Sequence, residues 1–157
     1  MLGKLRKKES IIKILGLLLV IIIGLNMKNI LAIVTGSETP IAVVRGYSMY
    51  PLLREGDLVF AYKPKPEDIH VGDIIIYKGL RGNLVIHRVI KIRVINGKYY
   101  YVTKGDNNLL PDYLEFTGPD KAGIPYDRVE GLVISINNST LKIPYIGYLS
   151  IWYHSRR

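Results

Sequence analysis

A hydroxyl, an imidazole and a carboxylate suffice for acyl-transfer chemistry, provided the fold brings them together. Ser48 lies in Arg45-Gly46-Tyr47-Ser48-Met49-Tyr50-Pro51, between an apolar run at 41–44 and a turn at Gly56-Asp57. Gly46 relaxes the backbone before the serine and Pro51 fixes φ after it, so Oγ is presented on a constrained turn at a strand end. A lone serine in such a turn more often bonds nearby backbone than attacks a substrate. A base and an orienting acid elsewhere in the chain would reverse that reading.

The sequence holds 3 histidines. His70 falls in a loop after Pro64 and Pro66, and His154 in the terminal tail. His87 alone sits in a strand pattern, where alternation places Val85, His87 and Val89 on one face and Ile86, Ile90 and Ile92 on the other. A histidine so placed is usually a satisfied core or rim residue, and the adjacent Arg88 reads as a solvated or ion-paired side chain. The carboxylates come from Lys104-Gly105-Asp106-Asn107-Asn108-Leu109-Leu110-Pro111-Asp112. This is an ordinary Asx-turn loop, or else one carboxylate accepts a hydrogen bond from His87 and fixes its tautomer. Asp106, Asn108 and Asp112 do not make a calcium loop, because glycine and the closing glutamate fall at the wrong places. No metal and no cofactor are expected.

These residues must be positioned by short β-rich runs that begin after Gly36. Candidate strands are 41–44, 58–62, 73–77, 84–94, 98–104, 131–136 and a weaker 141–145. Asn96-Gly97 predicts a two-residue type I′ hairpin turn. Only 126–129 reads as a helical turn, so an all-β domain is expected behind one helix. The aromatic stretch 141–153 is either an interfacial contact, beside His154, Arg156 and Arg157, or a last strand and tail packed on the domain.

The one helix is an apolar segment at 11–34, preceded by Lys4, Arg6, Lys7 and Lys8. As a helix it would reach about 36 Å, enough to cross a bilayer. It lacks the small-residue cleavage site of a secretory leader and the polar face of an interfacial helix. An uncleaved anchor is expected, with residues 1–10 a cytoplasmic basic tail, 11–34 the span and 35–157 an extracytoplasmic domain. The 157 residues carry a net charge of +9, but the basic tail explains much of it as a topology signal. The mean hydropathy of +0.16 also favours a membrane over nucleic acid as partner. The absence of cysteine excludes disulfides, thiolate zinc sites and a cysteine nucleophile.

Taken together, Ser48-Met49-Tyr50-Pro51, then His87-Arg88, then Gly105-Asp106-Asn107-Asn108 with a later aspartate resemble type I signal peptidases of the archaeal and endoplasmic-reticulum branch. The resemblance extends to the N-terminal anchor, Thr35-Gly36-Ser37-Glu38-Thr39-Pro40, Arg54-Glu55-Gly56-Asp57, Val71-Gly72-Asp73 and Val129-Glu130-Gly131. It implies a mainly β fold, with one transmembrane helix before a signal-peptidase-like catalytic domain. It makes Ser48 the nucleophile, His87 the general base, Asp112 the triad acid and Asp106 a supporting residue. Preprotein signal peptides and the lipid bilayer become the partners, and the Sec translocon is admitted as another. In an archaeon the membrane would be the cell membrane.

Tyr50 stands where the family often has glutamate, and many members continue past the position of Arg157 into a second membrane segment, so a single span is expected. Met49 and Tyr50 become candidates for contact with lipid or signal peptide. Two rivals stand beside this reading. One is a Ser–Lys self-cleaving enzyme of the same fold using Lys78, Lys91 or Lys104, and the other a non-catalytic, membrane-anchored β module.

Overall fold

The computed structural model describes residues 2–112, 122–137 and 139–155, with residues 2–10 as backbone only. The basic side chains of the N-terminal tail, Arg156 and Arg157 therefore lie outside the described residues.

Helix α1 (Leu2–Thr35) runs unbroken through Asn26, Lys28 and Asn29. Its portion Ile11–Thr35 has a mean hydropathy of 2.3 and is not buried by the rest of the protein. The polar interruptions are absorbed locally: Asn26 Nδ2 donates to Ile22 O at 2.9 Å and Thr35 Oγ1 to Leu31 O at 2.7 Å. The helix stops at Gly36, whose φ of +64° is the left-handed conformation that favours glycine at a C-terminus.

The described strands are β1 (Ile41–Val43), β2 (Leu58–Tyr62), β3 (Ile74–Lys78), β4 (Leu84–Ile95), β5 (Lys98–Lys104), β6 (Ile124–Pro125), β7 (Val129–Val133), β8 (Ser135–Ile136), β9 (Ser139–Thr140) and β10 (Lys142–Ile143). The main sheet runs β1-β2-β7-β3-β4-β5-β6, and β10 pairs with β2, all antiparallel. Strand β3 shows why a continuous apolar run forms here. Its Ile75 and Tyr77 enter one core cluster with Val89, Tyr101 and Val129, while Ile74 and Ile76 enter a second with Met49, Leu53 and Val59. A strand buried on both faces has no need of a polar alternate.

The β4–β5 hairpin turns at Asn96 (φ +51°) and Gly97 (φ +75°), with Ile95 opposite Lys98, as the Asn-Gly pair predicts. The 126–129 turn is a 3-10 helix at Tyr126–Arg128. Three expectations need correction. First, the register shifts between Val89 and Lys91, so Ile90 is an extra residue in β4. This β-bulge reverses the later alternation and packs Ile92 against the Val89 cluster, whereas Ile86 packs on the other. Second, the mainly β fold stands, but the expected last strand shrinks to β10 and the chain then forms the short helix α2 (Tyr148–His154). Third, the 131–136 run divides: β7 ends at Val133, although the Ile134 N–H still bonds Phe60 O at 2.8 Å in the β2–β7 register, and β8 then pairs with β9 instead of β2.

Candidate active site

Ser48 follows β1 on a turn tied down from both sides. The Val44 N–H donates to Asp57 O at 2.8 Å and the Gly56 N–H to Val44 O at 3.0 Å, which closes the loop on itself. Within it, the Leu53 N–H donates to Met49 O at 2.9 Å. Gly46 has φ +80°, the permissive conformation expected before the serine. Met49 is 1% exposed and belongs to the second core cluster, so it anchors the turn and has no access to lipid. Tyr50 stays exposed, with the Arg54 guanidinium 5.6 Å from its ring centroid.

His87 is placed in the first half of β4, directly opposite Ile75 of β3. Its side chain is 9% exposed and that of Asp112 is 12% exposed, and Nδ1 lies 2.5 Å from Asp112 Oδ2. Since an ionised carboxylate only accepts hydrogen bonds, Nδ1 carries the proton and the Nε2 lone pair is left for a second partner. The same Oδ2 also accepts from Thr103 Oγ1 at 2.6 Å and Tyr77 Oη at 3.1 Å. Tyr77 and Thr103 were not singled out from sequence, where each reads as an ordinary strand former. Thr103 pairs with Val89 in the register, two residues from His87. A hydroxyl one strand away on the histidine's face is the signal that could have found it.

Asp106 is held apart from this group. Arg88 donates from Nε to Oδ1 at 2.8 Å and from Nη2 to Oδ2 at 2.7 Å, a two-pronged bond, and from Nη1 to Gly72 O at 2.7 Å. The hydrogen bonding to Asp106 pushes the Arg88 guanidinium above its ordinary pKa, so it stays charged. This pair staples the 105–108 loop to β4. The loop in turn meets the serine: the Asn107 N–H donates to Ser48 O at 2.8 Å. A Cβ on Gly105 would lie 2.6 Å from that carbonyl oxygen, so glycine is required for the approach.

Ser48 opens on a groove of about 730 Å³ whose walls include Ile41, Val43, Val85 and Ile86, with Lys28 of α1 and Ser150 of α2 at its margins. Among the described residues, the side-chain hydrogen bond of His87 runs to Asp112 and not to Ser48.

No family model matches the chain. It is 30% identical over 148 residues to the signal peptidase complex catalytic subunit SEC11 of Plasmodium falciparum, covering 93% of this chain and 76% of that protein. The chain belongs to the SEC11 family of signal peptidase catalytic subunits. A fungal SEC11, from Schizophyllum commune, is likewise 30% identical, over 161 residues that cover 92% of the chain and 80% of that protein. Human SEC11C is 34% identical over 113 residues, which span 71% of the chain but 59% of the human protein.

Within a SEC11-type site, a lysine base fares poorly at two of the three positions, Lys78 and Lys91. Lys78 Nζ lies 3.0 Å from Glu130 Oε1 and 3.3 Å from Glu38 Oε2. Its hydrogen bonds to Glu130 and then Glu38 raise its pKa, which opposes the neutral form a base requires. Lys91 points to solvent from β4, beyond the bulge.

Proposed function

We propose that the chain is a membrane-anchored serine endopeptidase that removes signal peptides from exported preproteins, with Ser48, His87 and Asp112 as its catalytic residues and Asp106 as support. The observation that carries this reading is the largely buried His87–Asp112 pair at 2.5 Å, which holds an imidazole in the tautomer a general base needs. Family membership supports the activity, and the apolar helix α1 supports the membrane setting.

In this mechanism His87 Nε2 takes the Ser48 proton as Oγ attacks the scissile carbonyl. The resulting imidazolium protonates the leaving amine, and water then hydrolyses the acyl-enzyme by the same route. The Ser48–His87 contact closes as substrate enters, since catalytic hydrogen bonds often tighten only in the complex. The Ser48 backbone N–H is positioned by its place in the turn to stabilise the oxyanion. Strand β1 ends the sheet order and lines the groove, so an extended peptide can add beside it. Substrates are expected to carry small residues near the cut, on the A-x-A pattern.

Residues 1–10 are assigned to the cytoplasm, 11–34 to the span and 35–157 to the far side, where signal peptides leave the bilayer. The Sec translocon is the natural source of such substrates.

The test is cleavage of a preprotein of known processing site by the detergent-solubilised chain beside Ser48→Ala. Loss of activity in the variant is expected. Equal cleavage by both proteins would sink Ser48 as the nucleophile, and cleavage by neither would leave the non-catalytic β module as the better reading.

A further inference from the structure

The segment joining α1 to β1 takes no part in this chemistry, yet it is bonded to three strands or their ends. The Lys63 N–H donates to Thr35 O at 2.9 Å and the Ala61 N–H to Pro40 O at 3.0 Å, fixing both ends of the segment to β2 and the residue after it. Between them Ser37 is 1% exposed. Its Oγ donates to Glu130 O of β7 at 2.8 Å and accepts from the Thr39 N–H at 3.0 Å. Outside this layer, Lys78 of β3 bridges Glu130, whose side chain is 8% exposed, to Glu38 of the segment itself. A linker meant to swivel would leave its polar groups to water. This one spends a buried hydroxyl and an ion-pair chain on the joint.

Downstream the rigidity continues to the nucleophile. Strand β1 begins at Ile41, pairs with Phe60, and leads through Val44 into the closed turn that carries Ser48. Lys28 of α1 and Ser48 line one groove. Helix end, seam, strand and serine therefore make one mechanical unit.

We propose that Ser37, with the Glu130–Lys78–Glu38 chain, is a positioning seam that sets the height of Ser48 relative to the anchor helix and so selects which bond of a membrane-held substrate is cut. The inference rests on the peptidase reading above. A substrate held by its apolar stretch presents its scissile bond at a fixed depth. An extended chain advances about 3.3 Å per residue, so a joint that yields by that distance offers the neighbouring bond to Ser48. Substrates not held by a membrane have no such depth and do not sense the joint.

The chain contains no cysteine, so spin labels can be placed cleanly on Ile33→Cys in α1 and Tyr47→Cys beside the serine. The full chain in phosphatidylcholine vesicles is compared with the same protein carrying Ser37→Ala and Lys78→Ala. The inter-label distance distribution is expected to broaden at least about twofold in the double variant, and to narrow again in Ser37→Thr with Lys78→Arg. Without labels, the double variant should cut a membrane-inserted preprotein at neighbouring bonds or about tenfold more slowly. A soluble peptide covering the same bond should be cut within about twofold of the unsubstituted rate, because the site itself is untouched.

An unchanged distance distribution overturns the seam. A proportional loss on both substrates overturns it too, because that is the mark of general destabilisation. If the unsubstituted chain cuts neither substrate, the peptidase reading falls and bond selection with it, while the label distances still decide whether the joint is stiff.

Discussion

Asp112 Oδ2 stands 2.5 Å from His87 Nδ1 and collects the hydroxyls of Thr103 and Tyr77 on the same atom. Asp106, the other acid of the loop, is occupied by the Arg88 fork. Asp112→Asn should therefore lower kcat by about 10³–10⁴-fold with little change in KM, since an amide no longer holds the imidazole in its working tautomer. Asp106→Asn should cost at most about tenfold in kcat and show itself in a lowered Tm, because it loosens a staple. Steady-state kinetics on one preprotein peptide decide the matter, and a larger kinetic loss for Asp106 would reverse the two roles.

The hydroxyls around Asp112 act through the carboxylate. Thr103→Val and Tyr77→Phe each remove one donor from a nearly buried oxygen, worth about 1.5–3 kcal/mol for a hydrogen bond to a charged group. Each should lower kcat by roughly tenfold, and the double variant by less than the product, because the remaining donors share one atom. A double-mutant cycle measures that coupling. Full activity in both single variants would show that His87 alone orients Asp112.

Gly105→Ala tests the contact between the two loops. The added methyl would meet Ser48 O at 2.6 Å and Asn108 Nδ2 at 2.8 Å, both closer than packing allows. Either the Asn107–Ser48 bond breaks or the serine turn shifts. A displacement of about 1 Å at a nucleophile can cost about 10²-fold in rate, so kcat/KM should fall far more than thermal stability does. Parallel assays of cleavage and melting give the comparison.

Alkaline stability should depend on Lys78. Its carboxylate partners raise its folded-state pKa above the usual lysine value of 10.5. A raised pKa means that the folded state holds the proton more tightly than the unfolded state. The contribution is therefore complete below about pH 10.5 and is lost as pH rises through the folded value. Lys78→Met should be less sensitive than the unsubstituted chain across that alkaline window and differ from it by a constant amount near neutrality. Denaturant melts from neutral to strongly alkaline pH provide the check, and parallel curves throughout would show that Lys78 makes no linked contribution.

Local chemistry wrote much of this protein directly into its sequence. The bounds of Leu58–Tyr62 and Lys98–Lys104, the Asn96-Gly97 turn, the long apolar helix and the glycine before Ser48 all follow from neighbours a few residues apart. So did the presence of a hydroxyl, an imidazole and two acids in suitable settings. Which acid meets the histidine was left open by residue spacing, because two aspartates in one loop look alike until the fold brings Asp112 to His87 and Asp106 to Arg88, neighbours on opposite faces of β4.

The remaining features are also consequences of non-local register. One extra residue at Ile90 moves Ile92 to the opposite face, and no local signal marks it, since Ile90 suits a regular strand equally well. Helix α2 has 7 residues, too few for a helical period to stand out, and Gly147 before it reads as an interruption when it is the helix N-cap. Thr103 and Tyr77 look like β-formers because that is also what they are; their hydroxyls acquire a second task only where three strands align. Residue types set the available chemistry, and the packing of β3, β4 and β5 decided which of those groups could touch.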